Sequence, residues 1–173
     1  MVEKCFETSW KEGVMYQIGE VIVHPMHGAG TIDGIESVKI GGVVRQYYVF
    51  RLPVGGMNMK IPVDNSEEIG IRPLISPDEA DALIDAMNGI EVEMTSNWNK
   101  RYRENMLRIK SGDLLEVARV IKGLMERDNE KGLSTGERKM LRSAKQILIS
   151  ELVMTKHEDY EAVERRVNAA LVG

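Results

Sequence analysis

A single cysteine, Cys5, is the first constraint. No intrachain disulfide can form, and no zinc site with two or more thiolates can be assembled. No apolar run approaches the roughly 18 residues that a membrane-spanning helix needs. The N-terminus has no basic flank ahead of an apolar core, so secretion is not indicated and a reducing cytoplasm is the expected setting. Aromatics are only 5% of the chain, with two phenylalanines and two tryptophans. A methyl-lysine cage of several converging rings therefore has little to be built from. The chain also lacks a phosphate-cradling glycine loop, a nucleophile elbow and a His-Glu-x-x-His helix. No catalytic residue, metal or cofactor is assigned, and an enzyme is disfavoured. His24 and His27 form the run His-Pro-Met-His, which reads as two structural histidines flanking a turn at Pro25 rather than as half of a metal site.

What the chain does have is a charge split hidden inside its net −4. Residues 1–93 hold 7 Lys and Arg against 15 Asp and Glu, a net of −8. Residues 94–173 hold 16 against 12, a net of +4, and within 98–145 the balance is 13 against 7. Such asymmetry points to a basic half that meets a polyanion and an acidic half with a different task.

The acidic half reads as short strands. Residues 1–14 show no clear periodicity and are expected to be a poorly ordered leader. Glu20–His24 is rich in β-branched residues and stops at Pro25; His27–Gly30 reads as a glycine-rich turn. Thr31–Ile40 and Val43–Leu52 flank Gly41-Gly42, a two-residue hairpin signal. Met57–Ile61 and Glu68–Arg72 complete five strands, which suggests a small antiparallel barrel of the Tudor or SH3 kind over residues 15–74. Tyr47 and Tyr48 lie on opposite faces of their strand, one for the core. The fold class expected overall is α+β, with an all-helical unit of about five helices over 75–173.

That second unit opens with the capping box Ser76-Pro77-Asp78-Glu79. Ser134-Thr135-Gly136-Glu137 is a second capping box. Ser111-Gly112-Asp113 breaks one helix and caps the next, whose core face is Leu114, Val117, Ala118, Ile121, Leu124 and Met125. The informative stretch is Asn97–Asp113. At about 100° per residue, Trp98, Tyr102, Met106 and Ile109 share one stripe. The opposite arc carries Lys100, Arg101, Arg103, Arg108 and Lys110 against one acid, Glu104. From periodicity alone Trp98 is either a buried anchor or a protruding aromatic among cations able to grip nucleic acid. Arg138 sits in the first turn of a later helix, where a cation opposes the helix dipole, a weak sign of an anionic partner.

Several motifs, in order and at matching spacing, resemble the CarD/CdnL family of bacterial transcription regulators. They are Gly19-Glu20-Val21-Ile22-Val23-His24-Pro25-Met26-His27-Gly28, Ile61-Pro62-Val63-Asp64-Asn65, Asn97-Trp98 with Arg101-Tyr102-Arg103, Ser111-Gly112-Asp113, and Gly132-Leu133-Ser134 with Gly136-Glu137. The resemblance runs from about Met15 to the C-terminus. It implies an N-terminal Tudor-like domain that docks on the β subunit of RNA polymerase and a helical domain that touches promoter DNA at the upstream edge of the melted bubble. It places the family's minor-groove tryptophan on Trp98, DNA-contacting cations on Lys100, Arg103 and Arg138, with Arg101 beside them, and polymerase contacts on Ile40 and Lys60. Some relatives have arginine at the positions of Lys60 and Val38, so those contacts differ here. The implied activity is stabilisation of the open promoter complex, with no reaction catalysed. The alternative is a free-standing nucleic-acid-binding protein that acts without polymerase.

Overall fold

The hairpin at Gly41-Gly42 sets the register of the sheet. Both glycines have positive φ, 58° and 84°, the left-handed backbone that a tight two-residue hairpin requires. In the computed structural model, which describes residues 16–173, β2 (Gly28–Ile40) and β3 (Val43–Arg51) pair around that turn from Ile40 opposite Val43 to Thr31 opposite Arg51. A register shift between Ile32 and Gly34 bends β2. With β1 (Val21–His24), β4 (Asn58–Pro62) and β5 (Arg72–Pro73), the strands form one antiparallel sheet in the order β4-β3-β2-β1-β5. Ile22, Ile32, Tyr48 and Phe50 are fully buried at 0% exposure and anchor the sheet's own hydrophobic cluster. Tyr48 is thus the core member of the tyrosine pair. The expected leader 1–14 lies outside the described residues.

Three details of the sheet differ from the sequence reading. The ladder is open rather than a closed barrel, since among the described residues β4 and β5 are not paired. Residues Ser66–Ile69 form a short helix, α1, ended by Gly70 at φ 92°. Only Arg72 and Pro73 pair with β1, where a strand over Glu68–Arg72 was expected. Asn65 makes no side-chain cap, but Glu67 and Glu68 place carboxylates in the first turn, where they suit a helix start. Finally, Gly28, Ala29 and Gly30 belong to β2 opposite β1, and the turn is earlier, before Gly28. These small residues permit close approach. A Cβ on Gly30 would lie 2.5 Å from the Arg51 carbonyl, and one on Gly28 would collide with Ser150.

Ser150 belongs to α5 (Thr135–Lys156), the longest helix, which packs with α2 (Pro77–Met87), α3 (Trp98–Lys110), α4 (Leu114–Lys131) and α6 (Tyr160–Val172) around a second cluster. Both expected capping boxes are present: Ser76 with Glu79, and Ser134 with Glu137. Asp113 caps α4 through Leu115 N–H.

Polar groups join α5 to the sheet. Ala29 N–H donates to Ser150 Oγ at 3.0 Å. Arg72 forms a two-pronged pair with Glu151, at 2.6 and 2.8 Å, and Ile75 N–H donates to the same carboxylate. Thr155 donates to Ile75 O at 3.3 Å. Glu151 is fully buried, so its charge is tolerable only because this fork of donors surrounds it.

Candidate nucleic-acid interface

Trp98 occupies the first turn of α3, after Asn97, whose side chain accepts Lys100 N–H at 3.0 Å. The indole ring is 43% exposed, whereas Tyr102 is only partly exposed. One face of the indole stacks on Tyr102, with centroids 5.2 Å apart and planes inclined by 23°. Its Nε1–H donates to Ser134 Oγ at 3.1 Å. That hydroxyl also accepts Glu137 N–H at 3.2 Å as the cap of α5. The bond draws the first turns of α3 and α5 together, two sites of partial positive charge. Gly136 lies beneath both rings; a Cβ there would sit 3.6 Å from Trp98 and 3.8 Å from Tyr102. Trp98 is therefore neither a core anchor nor a loose ring. It is held in one orientation by a stack and a hydrogen bond, with much of its surface in solvent.

The cations expected around it divide. Arg103 and Arg138 are exposed and have no ion pair among the described residues. Lys100 is exposed and only loosely paired with Glu104, at 3.8 Å. Arg108 lies 3.5 Å from Glu116, which offsets its charge.

Arg101 overturns its expected placement on the outer arc. It is 1% exposed. Its Nε and Nη2 lie 2.8 and 2.7 Å from Glu137 Oε1, and Nη1 donates to the carbonyls of Thr95 and Ser96. Arg127 Nε approaches the same oxygen at 3.5 Å. A guanidinium enclosed this way cannot reach a phosphate; it ties the segment before α3 to the start of α5. Burial alone would raise the Glu137 pKa, but hydrogen bonds from Ser134 and Arg101 hold it below the ordinary carboxylate value.

The inward face of α3 is accordingly Arg101, Asn105 and Ile109, about 60° round from the expected apolar stripe at 100° per residue. Tyr102 and Met106 are half-buried flanks, and Leu107 is 69% exposed.

On the sheet, Ile40 ends β2 at 58% exposure and faces Val43 across the hairpin. Val43 and Val44 are similarly exposed, so the hairpin tip is an apolar patch. Lys60 lies on the edge strand β4 and pairs with Glu36 at 2.8 Å, both half exposed. At the turn, His24 and His27 pack ring to ring at 4.7 Å, and His24 Nδ1 accepts Met26 N–H at 3.1 Å. Burial, and secondarily the neighbouring His27, lowers the His24 pKa to about 4.

Two family models cover most of this architecture. One, described as the CarD-like/TRCF RID domain, matches residues 16–75, and another, the CarD C-terminal domain, matches residues 82–168. A Bacillus subtilis (strain 168) protein named "Putative transcription factor YdeB" is 37% identical over 142 residues, covering 82% of this chain and 93% of its own. The chain belongs to the CarD family. As a CarD-family protein it is a regulator of transcription and not an enzyme.

The sequence reading missed the residues of this CarD-family chain that fix Trp98. Ser134 was legible as a helix cap but not as an indole partner, because the contact spans 36 residues. Gly136 was no clearer a signal, since a Cβ there would make only ordinary contacts with the two rings.

Proposed function

We propose that this protein docks on the β subunit of RNA polymerase through its sheet and stabilises the open promoter complex by wedging Trp98 at the upstream fork. The carrying observation is the fixed, half-exposed indole of Trp98, with Lys100, Arg103 and Arg138 available for phosphates. The cations position the helices on DNA without reading sequence. An aromatic inserted at a groove step stacks on exposed bases and opposes reannealing, an effect of about 1–3 kcal/mol per base. Since about 1.4 kcal/mol is tenfold in an equilibrium, one ring suffices to change open-complex occupancy.

Docking is assigned to the outer part of the sheet, over the domain 15–74. Ile40, with Val43 and Val44, supplies apolar surface, and edge strand β4, carrying Lys60, offers backbone groups for strand addition. Tethering raises the local concentration of the helical domain, 75–173, at the fork, so weak intrinsic DNA affinity is enough. The protein works in the cytoplasm, as one copy per polymerase.

Two substitutions test the two halves of this reading. Trp98→Ala is expected to leave polymerase pull-down intact and to shorten open-complex lifetime about fivefold or more. An unchanged lifetime removes the wedge. Lys60→Glu is expected to weaken pull-down, and undiminished capture removes the docking assignment. Tight, salt-sensitive binding to naked promoter DNA without polymerase would favour a free-standing DNA-binding protein instead.

A further inference from the structure

The wedge leaves one neighbouring feature unused: a cleft of about 510 Å³ between the β1–β2 turn, α3 and α5. Its volume lies within the about 300–1,000 Å³ range of sites for small organic groups. Its walls include Tyr102 and Met106 from α3, Lys139 and Ser143 from α5, and His24 and His27 from the turn. Tyr102 is also the ring on which Trp98 stacks, and Gly136 borders both, so the cleft is continuous with the wedge. We propose that this cleft receives one unpaired nucleobase of single-stranded DNA displaced at the fork. The proposal rests on the wedge reading and adds a second binding site to it.

The walls have the chemistry a flat heterocycle requires. A phenol ring, a thioether and two imidazoles give apolar faces for stacking, which tolerates any base because each has a π-face. His24 Nδ1 accepts the Met26 N–H, so the neutral ring carries its proton on Nε2, a donor for a base carbonyl or ring nitrogen. Ser143 adds a hydroxyl that both donates and accepts. No carboxylate lines the cleft. Lys139 is exposed, without an ion pair among the described residues, and stands next to Arg138 to meet the nucleotide's phosphate. This charge pattern, with the continuity to Trp98, favours a nucleotide held in a DNA strand.

The test uses the full chain and three labelled DNAs at low salt: a fork with one unpaired base at the junction, the same fork with an abasic nucleotide there, and the fully paired duplex. The base-containing fork is expected to bind about 5- to 150-fold more tightly than the abasic one. Ser143→Leu and Met106→Phe fill the cleft from opposite walls. Each is expected to erase that ratio while leaving affinity for the abasic fork unchanged. Equal affinity for the two forks in the wild-type protein, or a ratio that survives both fillings, overturns the proposal. Should both variants fail to fold, 2-aminopurine at the unpaired position decides. Quenching that persists in the Trp98→Ala protein supports the cleft, and quenching lost with that ring, or absent in the wild-type chain, overturns it. A base preference that survives both fillings but vanishes in Trp98→Ala loses only the cleft. A wild-type protein that does not distinguish fork from duplex loses the wedge as well.

Discussion

Trp98 donates its indole N–H to the hydroxyl of Ser134, so the cap of one helix aims the exposed aromatic of another. Ser134→Ala removes both functions. The lost cap is expected to lower stability by about 1 kcal/mol, read from urea denaturation. In a Trp10→Phe background the emission of Trp98 should shift red and become more accessible to acrylamide. An unchanged spectrum would show that the Tyr102 stack orients the ring alone.

Arg101 and Arg103 are two residues apart and should behave oppositely. Arg101→Met leaves the 3%-exposed Glu137 with Arg127 at 3.5 Å as its nearest cation, beside the Ser134 N–H bond, and breaking a buried pair costs about 3 kcal/mol or more. Arg103→Gln is expected to change stability by less than about 0.5 kcal/mol and to reduce the salt slope of DNA binding by about 1. Denaturation and salt-titrated binding of the two variants check the contrast. Equal stability losses would refute the assignment.

The link between sheet and helices is expected to depend on Arg72 and Glu151. Arg72→Met strands a fully buried carboxylate and should lower stability by about 3 kcal/mol, the low end for such a break because the Arg72 side chain is 31% exposed. Replacing both partners with methionine should recover much of the loss. Urea midpoints of the two single variants and the double variant measure this.

The turn histidines give a pH window separate from that of the carboxylates. Folding lowers His24 from 6.5 to about 4, through burial first and the charge of His27 second, and His27 is lowered by burial as well. The unfolded chain therefore binds protons in this window that the folded chain refuses. The histidines' stabilising contribution is fully present above about 6.5 and is lost as pH falls towards about 4. His24→Asn keeps an acceptor for Met26 N–H and is expected to flatten the urea midpoint between pH 6.5 and 4.5. A wild-type midpoint already flat there would contradict the shift.

Local chemistry in the sequence carried far. The Gly41-Gly42 hairpin, the two capping boxes and the core face of α4 each depend on residues within a few positions, and each is where the pattern places it. What was illegible depends on partners distant along the chain. Arg101 reads as a surface cation until Glu137, 36 residues later, encloses it. Gly28 and Gly30 read as turn residues, yet they are small because α5 and β3 come close to them. The exposure of Trp98 was undecidable from periodicity, because the inward face of α3 is built on the polar side chains of Arg101 and Asn105 that a hydrophobic pattern cannot register.

One helix meets both ends of this arrangement. The N-cap of α5 bonds the indole, and Ser150 and Glu151, further along, are seated on β2 and on the residues of β5. Sixteen residues separate Ser134 from Ser150, about 24 Å at 1.5 Å per residue. The interval between the sheet and Trp98 is thus spanned by one helix, with both a length and a phase. One added residue between those points would advance the seat by about 1.5 Å and swing it by about 100°. A four-residue insertion would bring the angle back to within about 40° while displacing Trp98 from the sheet by about 6 Å. If the proposed docking and wedge hold, the spacing between them is counted in helix residues.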